Sequence, residues 1–260
     1  MVSIITRTEN HHPMTSLDSS PFCTVVAAGG RGRRLGGDVP KQFQTLSGVP
    51  ILVHTLRKFE SSALTNRIIL ILPENFIPWF EASILSVYPF SKLAEIVAGG
   101  ETRQESVYHG LRRVDAERNP FVAIHDGVRP FFDPQFLEEG RRILQNVPAV
   151  AVGALPVETV KQVSSRAFVT RTQKRESLHM AQTPQMFHTR LIQAVHEDAR
   201  EKGWVASDDA TLMERAGYPV RILPGSRWNI KITEPEDLEI GEVLLKLEDK
   251  LFRKSTEVLR

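Results

Sequence analysis

An apolar run ending at Ala28 leads into Gly29-Gly30-Arg31-Gly32-Arg33-Arg34-Leu35-Gly36-Gly37, and the segment closes on Pro40-Lys41-Gln42. Glycines lack a Cβ, so their backbone N–H groups can approach an anion closely. Arg31, Arg33, Arg34 and Lys41 add positive charge where phosphate charge would accumulate. A strand feeding such a loop is a place to hold a nucleoside triphosphate. Neither common phosphate-loop template accounts for it. Gly32 and Gly37 have the spacing of a Walker loop, but Asp38-Val39 stand where Lys and Ser or Thr are required. Gly30 and Gly32 open a dinucleotide fingerprint whose third glycine is replaced by Leu35, which disfavours a nicotinamide-dependent dehydrogenase.

Two further charged clusters follow apolar runs: Gly99-Gly100-Glu101-Thr102-Arg103-Gln104-Glu105-Ser106 and His125-Asp126-Gly127-Val128-Arg129-Pro130. Ligands of open parallel sheets lie beyond the carboxyl ends of the strands, so the three clusters are expected to converge on one edge. Each has a plainer reading. Arg103 and Ser106 can simply begin a helix, Asp126 can cap a turn, and His125 reads as a packing residue. Lys231, between Ile230 and Ile232, reads either as the gatekeeper of an edge strand or as a phosphate ligand.

The clusters belong to a longer ordered series. The loop Ala28-Gly29-Gly30-x-Gly32-x-Arg34-Leu35-Gly36 and Pro40-Lys41-Gln42 come first, then the two clusters above. Val157-Glu158-Thr159-Val160-Lys161, Ala181-Gln182-Thr183-Pro184-Gln185, Ser207-Asp208-Asp209-Ala210 and Asn229-Ile230-Lys231-Ile232-Thr233 follow. Over residues 22–245 this series resembles the sugar-phosphate nucleotidyltransferases, and is most similar to the 2-C-methyl-D-erythritol 4-phosphate cytidylyltransferase family.

The resemblance implies transfer of a cytidylyl group from CTP to methylerythritol phosphate, with release of pyrophosphate, in non-mevalonate isoprenoid biosynthesis. It assigns Arg34 and Lys41 to catalysis. It assigns Ala28, Gly29, Gly30, Gly100, Arg103, Ser106 and Gly127 to CTP, and Asp126, Arg129, Thr183, Ser207 and Lys231 to the acceptor. Thr159 and Arg175 are implied to reach the acceptor from the arm of a partner subunit, making the protein a homodimer. Mg²⁺ is the implied cofactor, with Asp126 as its candidate ligand. The acceptor phosphate is already ionised near neutral pH, so the reaction needs no Ser, Cys or His nucleophile. Its difficulty is the approach of two anions, which positioning and charge neutralisation relieve. His-Asp-x-Val-Arg-Pro is also similar to ribitol-5-phosphate cytidylyltransferases, which leaves that acceptor as an alternative. A non-catalytic nucleotide-binding subunit is the other alternative, and Arg34 together with Lys41 argues against it.

Short apolar runs alternating with amphipathic segments predict the scaffold: a three-layer, Rossmann-like α/β fold with a mainly parallel twisted sheet. Strands are expected at 24–28, 67–72, 95–98, 121–125 and 149–154. A helix is expected at 51–59, with Pro50 at its start. A second opens at Asp133-Pro134 and buries Phe136, Leu137, Ile143 and Leu144. The last begins at Thr233-Glu234-Pro235-Glu236, a capping-box pattern, and turns Leu238, Val243, Leu247 and Leu251 inward. Residues 156–178 are rich in Val, Thr and charge without a continuous apolar face, which predicts a protruding β-hairpin arm. Residues 1–20 are expected to be a mobile extension, with Met14 a second candidate start, and 21–260 the cytidylyltransferase domain.

Composition narrows the partners. Lys plus Arg total 33 against 31 Asp plus Glu, a net +2, so the basic loop is local. Nucleic acid is therefore not an expected partner, despite an isoelectric point of about 8.7. Cys23 is the single cysteine, which excludes an intrachain disulfide, and its apolar setting predicts a buried, inert thiol. No apolar stretch has transmembrane length, and a cytoplasmic location is expected.

Overall fold

Strand β1 (Phe22–Ala27) is buried along its length, as an apolar run covered on both faces must be. A two-stranded hairpin, β2 (Thr45–Leu46) and β3 (Val49–Pro50), follows it and leads into helix α1 (Ile51–Ser61). The remaining strands are β4 (Thr65–Leu72), β5 (Leu93–Ala98), β6 (Phe121–Asp126), β7 (Ala149–Ala154), β8 (Lys161–Val163), β9 (Val169–Thr172), β10 (Met180–His188) and β11 (Val220–Pro224). The other helices are α2 (Ile77–Phe80), α3 (Arg103–Leu111), α4 (Gln135–Leu144), α5 (Thr189–Glu201), α6 (Asp209–Arg215) and α7 (Pro235–Val258). This computed structural model describes residues 20–30 and 40–258, with side chains through residue 248. The expected extension over 1–19 and the candidate Arg34 lie outside the described residues.

Seven strands form one sheet in the order β11-β7-β10-β6-β1-β4-β5, parallel throughout except for β10. Helices α1 and α4 cover one face, through Leu52, Leu56, Phe59, Phe136 and Leu137. Helices α3, α5 and α6 cover the other, through Val107, Leu111, Ile192, Val195, Leu212 and Met213. The fold is therefore the three-layer, Rossmann-like arrangement. The chain leaves β1 toward β4 on one side and returns to β6 on the other, so the strand order reverses at β1. A crevice opens at such a switch point, outside the carboxyl ends.

The arm is present as well. Strands β8 and β9 pair with each other alone, every residue of both is exposed, and they project from the carboxyl end of β7.

Three expectations are corrected. First, Val243 and Leu247 of α7 are 57% and 45% exposed, and Leu244 faces inward instead. The docking stripe runs through Gly241, where an added Cβ would lie 3.0 Å from Leu46, so a count of apolar side chains misses it. Second, α7 is capped from Asp237 and not Glu236: Asp237 Oδ2 accepts from Thr233 N at 2.8 Å, Thr233 Oγ1 at 2.9 Å and Glu234 N at 3.0 Å. Third, Lys231 lies in an irregular loop, not in a strand, because Ile232 N is bonded singly to Val128 O, at 2.9 Å.

Candidate active site

The loops leaving β1, β5 and β6 are knit together at the sheet's carboxyl edge. Ala28 N donates to Ile71 O at 3.0 Å, Gly99 N to Leu72 O at 2.8 Å and Gly127 N to Ala27 O at 2.9 Å. Gly29 and Gly99 allow close approach across the gap. A Cβ on Gly99 would sit 3.0 Å from Ser106 Oγ and 3.2 Å from the Gly29 Cα, so any larger residue would force these loops apart. Gly127 is similarly confined, with the position of a Cβ only 2.8 Å from that of Ala28. Gly29, Gly100, Ser106 and Gly127 therefore share one rim, as the strand-end argument expects.

Gln42, quoted in the motif without a role, holds the base of that rim. It is buried, and its Nε2 donates to Ala28 O at 2.7 Å and Gly30 O at 3.2 Å, pinning the start of the loop to the turn at Lys41–Phe43. Lys41 begins that turn and lies close enough to Asp237, at the head of α7, to help lower the Asp237 pKa, behind Asp237's own hydrogen bonds.

Asp126, at the end of β6, is the centre of the charged cluster. Its Oδ1 meets Arg103 Nε at 3.0 Å, and its Oδ2 meets Lys231 Nζ at 2.9 Å and Arg129 Nε at 3.5 Å. Burial would raise the carboxyl pKa, but Arg103, Lys231 and Arg129 together outweigh it and hold the group far below the usual carboxylate range. The backbone of Asp126 is fixed by Thr183 Oγ1, which accepts its N–H at 3.1 Å. Arg129 Nη1 donates to Asn229 O at 2.8 Å, and Asn229 Nδ2 to Thr183 O at 2.8 Å, so β6, β10 and the Lys231 loop lock around one carboxylate.

Arg103 reaches this cluster from the first turn of α3, which Thr102 caps by accepting Glu105 N at 3.0 Å. Its other edge, Nη1, meets Asp209 Oδ2 at 2.9 Å. Burial alone would weaken the guanidinium charge, and the two carboxylates more than restore it. Three cations thus face two carboxylates, leaving one net positive charge beside the glycine rim.

Not all candidates meet here. Ser207 is exposed on the loop entering α6. Thr159 and Arg175 are exposed on the arm, where Arg175 Nη1 donates to Val157 O at 2.8 Å. His125 is structural: Nε2 faces Arg129 O at 3.1 Å, its ring packs on Phe59 and Phe132, and burial lowers its pKa to about 3. Cys23 is buried, and burial raises its thiol to about 12, as expected for an inert thiol. His196 was not foreseen, and Asp209 entered only within the Ser207-Asp208-Asp209-Ala210 motif, without a role. The pairing of Asp209 with Arg103 and His196, brought from three different helices, reveals what it does.

The donor set bears on the metal. Among the described residues no three His, Cys, Asp or Glu side chains form a group able to hold an ion, and Asp126 already faces three cations. Among the described residues a protein-built cage does not fit.

Comparison with known proteins agrees with this geometry. A sequence model of the 2-C-methyl-D-erythritol 4-phosphate cytidylyltransferase family matches residues 22–247. The cytidylyltransferase of that name from Syntrophus aciditrophicus is 41% identical over 86% of this chain and 96% of its own. The one from Geotalea uraniireducens is 41% identical over 85% and 95%. Among solved structures, 4-diphosphocytidyl-2C-methyl-D-erythritol synthase from Anaerococcus prevotii superposes with a TM-score of 0.78 at 27% identity, over 88% of this chain and 98% of that one. The cytidylyltransferase from Thermus thermophilus gives 0.71 at 30% identity, over 87% and 99%. A glycine rim, a net-positive cluster at the switch point and full-length similarity of this kind place the chain in the 2-C-methyl-D-erythritol 4-phosphate cytidylyltransferase family.

Proposed function

We infer that the chain transfers the cytidylyl group of CTP to the phosphate of 2-C-methyl-D-erythritol 4-phosphate. An acceptor phosphate oxygen attacks the α-phosphorus; the new P–O bond forms as the bond to the β-phosphate breaks, and pyrophosphate leaves. No proton need be removed from the nucleophile, so the protein's task is to bring two anions together and neutralise their charge. The observation that carries this reading is the Asp126 cluster: Lys231 and Arg129 are held by an ionised carboxylate beside the glycine rim. Held so, they offer the acceptor phosphate preorganised charge. Lys41, at the base of the same rim, and Arg34 serve the triphosphate and the departing pyrophosphate.

Mg²⁺ would enter with CTP as part of the substrate and supply charge neutralisation there, not as a resident ion. The arm completes the acceptor site in a second copy of the chain. Its exposed Val157, Val163, Phe168 and Val169 are the apolar surface that such a homodimer would cover, and Arg175 and Thr159 travel with it. Among the described residues no helix is long and apolar enough to cross a membrane, and a supply of CTP is met in the cytoplasm.

The test is product identification by mass spectrometry with CTP, Mg²⁺ and either methylerythritol phosphate or ribitol 5-phosphate. The expected result is 4-diphosphocytidyl-2-C-methyl-D-erythritol, with pyrophosphate released only when the acceptor is present. Faster turnover with ribitol 5-phosphate would overturn the acceptor assignment.

A further inference from the structure

Behind Arg103 the charged cluster continues into the protein. Asp209 is buried at the first turn of α6, 1% exposed, with Oδ2 on Arg103 Nη1 at 2.9 Å and Oδ1 facing His196 Nε2 at 3.1 Å. Burial opposes its ionisation, but Arg103 and then His196 hold its pKa below the usual range. Its place is fixed from several sides. Asp208 caps α6 by accepting Thr211 N at 2.9 Å, and Gln185 of β10 accepts Ala210 N at 3.0 Å while donating to Asp208 Oδ2 at 2.8 Å. His196, from α5, is equally buried, and its Nδ1 has no partner among the described residues. The tautomer with the proton on Nε2 donates to Asp209 and leaves only a lone pair unmet, which costs less than an unmet N–H.

We propose that Asp209, steadied by His196, is a positioning residue for cytidylyl transfer: it holds one edge of the Arg103 guanidinium so that only the other edge engages Asp126. A guanidinium is a rigid fork. With Nη1 anchored on Asp209, Arg103 takes Oδ1 of Asp126 and leaves Oδ2 to Lys231 and Arg129. Without that anchor Arg103 collapses onto both oxygens of Asp126 and displaces Lys231, the cation that faces the acceptor. This inference rests on the functional reading above, deepening it by naming what sets the cluster's geometry.

The experiment compares the wild-type protein with Asp209→Asn, His196→Gln, Arg103→Ala and the double variants with Arg103→Ala, at a temperature where circular dichroism shows each folded. Asp209→Asn should lower kcat/KM for methylerythritol phosphate ~10-fold and His196→Gln ~3-fold, and neither should cause further loss in the Arg103→Ala background. Losses that multiply in the double variants, or kcat/KM unchanged in the folded single variants, would overturn the proposal. If Asp209→Asn does not fold, His196→Gln decides by the same criterion. Failure of the wild-type protein to turn over would count against the functional reading itself. Positioning is then read separately from the Arg103 Nη1–H resonance, the one that Asp209 holds, in ¹H–¹⁵N spectra. It should be slowly exchanging in the wild-type protein and lost in Asp209→Asn or His196→Gln; an unaltered signal in the variants would overturn the proposal.

Discussion

The Asp126 cluster and the β8–β9 arm lie at the same edge of the sheet and are built in opposite ways. In the cluster, Asp126 and Asp209 are buried and ionised, and each is bonded to cations brought from distant parts of the chain. In the arm every strand residue is exposed, Phe168 at its tip is 72% exposed, and Arg175 bonds only locally. The cluster is preorganised by its own fold, so its charges need no rearrangement when substrate arrives. The arm has apolar surface and functional candidates but no surroundings, and in the proposed homodimer a second copy would supply them. Lesions in the two regions should therefore differ in kind. A cluster lesion belongs to the subunit that carries it, and an arm lesion should be repairable by a partner.

The largest effects should come from the two candidate catalytic cations. Arg34→Ala and Lys41→Ala are each expected to lower kcat ~100-fold or more while leaving the fold intact, by analogy with removing one transition-state donor. Lys41→Arg should also be impaired, since a planar fork does not replace a compact ammonium. Steady-state kinetics with MgCTP and methylerythritol phosphate measures this, and near-normal kcat in both alanine variants would move the chemistry away from this pair.

The arm comes next. Arg175→Ala should lower kcat/KM for the acceptor ~10-fold with little change for CTP. Mixed with Arg34→Ala under demonstrated subunit exchange, it should regain activity, because the heterodimer has one site free of both lesions. A mixture as inactive as its parents would place Arg175 in its own subunit's site or outside catalysis. Phe168→Asp should in turn raise the monomer fraction seen by light scattering, and an unchanged dimer would show that the arm tip is not the contact.

The contrast also explains how far the sequence was readable. Glycines and charges at strand ends were enough to bring Asp126, Arg129 and Arg103 to one edge, because parallel sheets put their loops there, whereas Lys231 was placed there only through the family motif. The arm was legible from the lack of an apolar face in residues 156–178. The central strand β10 was not, because Gln182, Thr183 and Gln185 are buried within it and break the apolar run. Each finds a partner elsewhere, such as Ser226 O for Gln182 at 2.8 Å, which no local pattern reports. His196, and the role of Asp209 within its quoted motif, were illegible for the same reason: their meaning is a pairing of α6, α5 and α3.

The last predicted effect is one of stability, and it belongs to the cluster side and not to the arm. His125 is buried neutral, with its pKa lowered from 6.5 to about 3 by burial. The unfolded chain therefore binds a proton near pH 6.5 that the folded chain refuses until near pH 3. Stability contributed by the neutral ring is complete above the unfolded value and falls as pH drops through that window, by about 1.4 kcal/mol per unit. Asp126 and Asp209 are depressed carboxylates, so their contribution is present above the ordinary carboxylate range and falls only below about pH 4. His54 is also lowered by burial and adds to the upper window. Urea denaturation between pH 3 and 8, followed by tryptophan fluorescence, separates these. His125→Gln should flatten part of the wild-type slope between about pH 6.5 and 4, leaving the steeper acid loss in place. Arg175→Ala on the exposed arm should leave the whole profile where it was. A wild-type slope that survives His125→Gln unchanged would mean that this ring is not held neutral, and that the edge of the sheet beneath Asp126 is wetter than its packing on Phe59 and Phe132 implies.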